Sequence, residues 1–177
     1  MQALLLLLAQ IASKDAFHVL RTERQLGYVV QCGVRSIGRS AGLSVHIQSA
    51  VMGPRDLERE IESWWRSFEA RVVAPLDEAA LRTYQDAIAA NLDEPPKTML
   101  QEASPVWGEI VDRTFRWDYD GQLAAAVRGA SLGELKQFFE RHVAPAAPLR
   151  RKAVSLAFSH KEAKKAGLAL PELAGAD

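Results

Sequence analysis

The sequence predicts an α+β fold, a two-layer sandwich of helices packed on a mainly antiparallel sheet. Three observations lead to it. A long helical pattern opens the chain, two stretches with a two-residue period come next, and four or five helices then run on until a last alternating stretch near the C-terminus. Helices segregated from strands in this way argue against a βαβ repeat, in which the two alternate.

The first helix is read from the apolar run Ala3 to Ala9, continued by Ile11, Ala12, Ala16, Val19 and Leu20. No lysine or arginine precedes that run, it is too short to span a bilayer, and Gln10, Ser13, Lys14 and Asp15 break the apolar character beyond it, so the segment reads as a buried helix rather than a leader or a membrane span. Gly27 is a plausible left-handed stop, and Tyr28 to Val34 reads as a strand. Leu43, Val45 and Ile47 alternate with Ser44, His46 and Gln48, the pattern of a half-buried strand. Ser36 to Gly42 supplies the loose hairpin connection between the two.

Pro54 opens the next helix, with Leu57, Ile61, Trp64, Trp65, Phe68 and Val72 on one broad face and the two tryptophans expected to anchor it to the sheet. After the break at Ala74 and Pro75, Asp77 is a good N-cap for a helix carrying Leu81, Tyr84, Ile88 and Leu92. Lys97 to about Arg113 is helical again, kinked or restarted at Pro105. A short helix around Gln122 to Arg128 precedes a capping box at Ser131 and Glu134, which opens a helix through Leu135, Phe138, Phe139 and Val143. The proline-rich connector Ala144 to Pro148 leads to an expected strand from Lys152 to Ser159, where Val154, Leu156 and Phe158 alternate with smaller or polar residues. Residues 1–159 thus read as one domain, and 160–177 as a short helix or tail. Three strands are few for so much apolar helix surface, so further strands before Met1, or a partner covering a sheet edge, are expected.

Composition narrows the functional classes. At 177 residues, 48% hydrophobic and 25% charged, the chain can bury a real core. Lysine plus arginine and aspartate plus glutamate each total 22, so no global field draws in nucleic acid or an anionic membrane, and neither is expected as a partner. The lone Cys32 excludes an internal disulfide and a multi-cysteine metal cage, and is expected to be a buried structural thiol. With no leader recognised, it makes the cytoplasm the expected location.

Neither His-Glu-x-x-His nor His-x-x-Glu-His occurs, and His18, His46, His142 and His160 have no second histidine within a helical turn. No Gly-x-Ser-x-Gly elbow, P-loop or Gly-x-Gly-x-x-Gly turn is present either. No cofactor or metal site is therefore expected in this chain. What remains is the corner between Phe17 and Val30, where Arg21 and Tyr28 lie on either side of a helix-to-strand junction. A guanidinium fork and a phenol can converge on one bound peptide backbone. In the purely structural alternative, Arg21 pairs with Glu23 or caps helix carbonyls while Tyr28 fills the core.

Several separated motifs carry a resemblance. Phe17, Leu20, Arg21, Thr22, Gln25, Leu26, Gly27 and Tyr28 are joined by Gly42 and Leu43 at the second strand and Ile47, Gln48 and Ser49 at its end. Asn91, Leu92, Asp93, Pro95 and Lys97, then Trp107, Gly108, Glu109 and Ile110, and finally Pro148, Arg150 and Lys152 complete the series. From about Ala3 to about Phe158 the chain resembles the last of the four homologous domains of the insulysin and pitrilysin metallopeptidases, the relatives of insulin-degrading enzyme. The resemblance implies the fold of the insulysin and mitochondrial-processing-peptidase metallohydrolases, here without its N-terminal strands.

It also implies a two-half clamshell enzyme whose N-terminal catalytic half holds zinc through His-x-x-Glu-His plus a later glutamate. In that arrangement the last domain has no metal site, and Arg21 and Tyr28 hold the peptide substrate near the scissile bond. The chain departs from the family in lacking the zinc domain and the strands before the long helix, so it is not expected to hydrolyse peptides alone; Pro105 is a second departure. The expected role is a substrate-clamping terminal domain of a zinc metalloendopeptidase. A non-catalytic structural or core subunit, or a peptide-binding module, are the alternatives.

Overall fold

A computed structural model describes residues 1–37, 40–159, 164 and 167; the expected tail, with His160, lies almost wholly outside the described residues. Helix α1 (Gln2–Ala16) buries Leu5, Leu7, Leu8, Ile11, Ala12 and Ala16 and continues directly into a π-helical stretch, Phe17–Glu23. Together they are long and apolar enough to cross a membrane by length and composition, yet Leu7, Leu8, Ala12, Ala16 and Leu20 are core residues exposed by no more than 1%. The π register comes from hydrogen bonds one residue longer than the α ladder, such as Arg24 N–H to the Val19 carbonyl at 2.9 Å.

Strands β1 (Val29–Ile37) and β2 (Ser40–Gln48) form a two-stranded antiparallel sheet in which Val29 pairs with Gln48, Cys32 with Val45 and Ile37 with Ser40. The ladder runs further than the sequence suggests. Ser36, Ala41 and Gly42, expected in the connection, are paired strand residues.

Helix α2 (Pro54–Phe68) carries proline in its first turn and ends in a π turn, Glu69–Val73. Its tryptophans anchor it to other helices, where the sequence suggested the sheet. The Trp64 indole N–H donates to Asp15 of α1 at 2.7 Å, and Trp65 and Phe68 meet Phe139 with ring centroids 6.4 and 5.9 Å away. Helix α3 (Glu78–Leu92) starts at Asp77, whose carboxylate accepts from Ala80 N–H at 2.8 Å. Helix α4 (Met99–Val111) is capped by Thr98 and runs through Pro105 without restarting. Helix α5 (Tyr119–Arg128) begins before the expected Gln122, and α6 (Leu132–His142) opens on the full Ser131–Glu134 capping box.

One core joins α1, α2, α3, α5, α6 and the inner face of β1, with Trp64, Phe68, Leu81, Val127, Leu135 and Phe139 at its centre. Helix α4 stands apart from it, with no residue buried. The expected strand Lys152–Ser159 is not one: residues 151–159 carry no strand pairing among the described residues. A strand needs a neighbouring ladder, and this segment is held instead by side chains. Arg150 makes a two-pronged bond to Glu62 at 3.0 and 2.7 Å, and Lys152 reaches Glu58 at 2.6 Å and Glu62 at 3.0 Å.

Candidate functional site

The corner after α1 is shaped by three local facts. The Leu26 N–H donates back to the Leu20 carbonyl at 3.0 Å and the Leu26 side chain is buried, which pins the turn to the core. The left-handed residue is Gln25, at φ 51°, and not Gly27 as the sequence suggests. Glycine is required at position 27 for a different reason: a Cβ there would lie 2.2 Å from the Gln48 carbonyl oxygen. That close approach places the start of β1 against the end of β2, where Tyr28 N–H donates to the same carbonyl at 3.0 Å.

Arg21 and Tyr28 meet at this corner. Arg21 Nη1 donates to the Gly27 carbonyl at 2.8 Å, and its guanidinium carbon lies 5.3 Å from the centroid of the Tyr28 ring. Both structural alternatives for the pair take another form. Glu23 engages His18 at 3.0 Å, so Arg21 is bound to a carbonyl and has no carboxylate partner among the described residues. Tyr28 does not fill the core; it is 83% exposed. The Gly27 bond uses one of the five guanidinium donors.

The pair lines an open concavity of about 640 Å³ together with Phe17, Thr22, Gln25, Gly27, Ala50 and Val51. Phe17 is 53% exposed and Val51 77%, so apolar surface flanks the two polar groups. Ser49 Oγ accepts from the Val51 and Met52 N–H groups at 3.1 and 3.0 Å, a local turn that fixes the opposite rim. Sequence reasoning passes over Phe17 and Val51 as site residues. Phe17 carries a usable signal, since it sits one helical turn before Arg21; Val51 enters only through the strand pairing.

Among the described residues the donor set does not fit a zinc ion. No group of three histidine, cysteine, aspartate or glutamate side chains converges among the described residues. His18 is paired with Glu23, His142 packs on the Phe138 ring at 5.1 Å, and His46 is exposed on β2. Cys32 is half-buried, and burial pushes its thiol up to about 12, so it stays protonated and unreactive at neutral pH. The site can orient a ligand by hydrogen bonding and charge.

Comparison with known proteins identifies the family. Residues 7–107 match the family described as "PQQ synthase PqqF-like, C-terminal lobe domain 4". The chain is 29% identical over 154 residues to a nardilysin-like protein of Arabidopsis thaliana, covering 86% of this chain and 15% of that protein. It is 31% identical over 146 residues to human insulin-degrading enzyme, covering 82% and 14%. The crystal structure of pitrilysin superposes with a TM-score of 0.70 at 27% identity, over 80% of this chain and 15% of that one. The chain thus spans about one-seventh of the length of these relatives. By the matched residues and the shared fold, the chain belongs to the PqqF-like C-terminal lobe domain 4 family, within the insulin-degrading enzyme and pitrilysin group of peptidases.

Proposed function

We propose that the chain is the substrate-clamping domain of a zinc metalloendopeptidase, closing over a peptide held by a separate catalytic half. The observation that carries this reading is the Arg21–Tyr28 pair: a guanidinium fixed by a backbone carbonyl and set against an exposed phenol ring, in an open concavity with apolar flanks. Such a pair suits an extended peptide. The guanidinium donates to backbone carbonyls, the phenol donates to a second one, and Phe17 and Val51 offer surface to apolar side chains. Neither group breaks a bond; both hold the peptide in the reactive geometry and strengthen their hydrogen bonds as carbonyl oxygen gains charge. Zinc, in this reading, belongs to the catalytic half and polarises the scissile carbonyl there. Helix α4 supports a pairing of bodies, because Met99, Leu100 and Trp107 on its apolar face are 85%, 74% and 65% exposed.

Mixing the full chain with an insulysin-type N-terminal half and a quenched fluorescent peptide tests the proposal. Cleavage restored by the mixture and abolished by a chelator is the expected result. A mixture as inactive as the half alone contradicts it; in that case, saturable peptide affinity without cleavage would identify a binding module.

A further inference from the structure

The Arg21–Tyr28 concavity holds a further polar side chain that the clamp leaves unused. Gln25 stands at the apex of the corner with φ 51°, a left-handed backbone that residues with a Cβ adopt at a cost. The turn itself does not ask for glutamine. Leu26 pins the corner through its buried side chain and through its N–H to the Leu20 carbonyl, and a glycine at position 25 would take the same backbone without strain. The Gln25 side chain is exposed, lines the concavity and makes no hydrogen bond among the described residues. Strain at a residue whose side chain has no partner inside the fold, on the rim of a site, points to a ligand.

We propose that Gln25 is a third substrate-orienting residue of this site, its carboxamide Oε1 accepting a backbone N–H of the bound peptide and its Nε2 donating to a neighbouring carbonyl. The inference rests on the clamp reading and completes its chemistry. An extended peptide presents both N–H and C=O groups along each edge. A guanidinium has donors only, and in that reading the Tyr28 phenol also donates to a carbonyl, so Arg21 and Tyr28 leave the N–H groups of the peptide unmatched. Closing a chamber over an unmatched N–H carries its desolvation penalty. The site therefore needs an acceptor. Among the side chains of the concavity, Thr22 and Gln25 remain to supply one. The Thr22 oxygen sits on the β-carbon, close to the helix, whereas Gln25 carries its oxygen two carbons further out. The Gly27 carbonyl already accepts from Arg21. A glutamine amide also matches a peptide unit as a pair, acceptor to N–H and donor to C=O.

Cleavage kinetics of the full chain mixed with an insulysin-type N-terminal half test it. The substrates are one quenched fluorescent peptide and a series in which a single backbone amide flanking the scissile bond is replaced by an ester, which lacks the N–H. The expected result is that Gln25→Gly lowers kcat/KM about fivefold, the loss of one neutral hydrogen bond, without lowering Tm, because glycine suits the positive φ. Gln25→Asn, which also tolerates that backbone and carries a shorter amide, should fall similarly. One ester should cost the wild-type protein about as much and cost Gln25→Gly nothing further, since the two changes remove the same bond. With Arg21→Ala impaired, a wild-type rate in Gln25→Gly, or an ester penalty equal in both proteins at every position, overturns the inference and leaves the clamp standing. A mixture that does not cleave, or that Arg21→Ala leaves at the wild-type rate, removes the clamp reading and this inference with it.

Discussion

At the scale of single residues, position 27 shows how a distant partner decides what a local pattern leaves open. Glycine after a helix ordinarily signals left-handed backbone, and the sequence invites that reading. Here Gln25 takes the positive φ, and Gly27 is there because the Gln48 carbonyl closes on it from the far strand. That contact is set by hairpin register, which no local pattern encodes. Gly27→Ala should therefore cost about 1–3 kcal/mol, the range of an overpacked core site, and calorimetry should show a lower Tm. An unchanged Tm would mean that Gln48 moves aside freely. Arg21 and Tyr28 are legible as candidates because their chemistry is unusual at a corner. Their geometry is not, since by sequence Arg21 could equally pair with Glu23 and Tyr28 could turn inward.

At the scale of elements, the helices are readable where caps are local. Asp77 and the Ser131–Glu134 box mark true helix starts, since each satisfies N–H groups within its own first turn. The contacts that bind helix to helix are less readable. Gln85, buried on α3, donates through its amide nitrogen to the Val127 and Ala130 carbonyls at 2.9 and 2.7 Å and so closes the C-terminal end of α5. Gln85→Leu removes that donor from both carbonyls, leaving Val127 only the Ala130 N–H at 3.3 Å, and should cost about 1–3 kcal/mol in urea denaturation. Alternation at 152–159 is a correct strand pattern without a ladder to join, and ion pairs determine where the segment lies. Arg150 and Lys152 hold the Glu62 carboxyl well down, from 4.5 to about 2, with the Arg150 hydrogen bond the largest cause. A carboxyl whose folded value is depressed stabilises above its unfolded value, and that contribution is lost as pH falls from about 4.5 towards 2. Glu62→Gln should accordingly flatten the dependence of stability on pH within that window. An identical slope in both proteins would show that the pair does not hold the segment.

At the scale of the whole molecule, the α+β class comes from the order of elements, yet the described sheet has two strands and leaves a long groove open beside β2. The small sheet, the unburied α4 and the exposed corner share one physical trait: apolar or polar surface left exposed among the described residues. A domain that completes a larger enclosure is expected to present such surfaces. The match over residues 7–107 places the chain in a family whose relatives include insulin-degrading enzyme and pitrilysin, and among the described residues no group of three metal-binding side chains converges. In the proposed role, Arg21 and Tyr28 guide a peptide in an enzyme whose chemistry lies elsewhere. Its most direct test is kcat for peptide cleavage by the reconstituted pair carrying Arg21→Ala or Tyr28→Phe. Loss of a charged hydrogen bond worth about 1.5–3 kcal/mol predicts a fall of roughly 10- to 100-fold for Arg21→Ala. A neutral bond worth about 1 kcal/mol predicts roughly fivefold for Tyr28→Phe, with Tm unchanged because that ring is exposed. Variants that cleave at the wild-type rate would contradict the account.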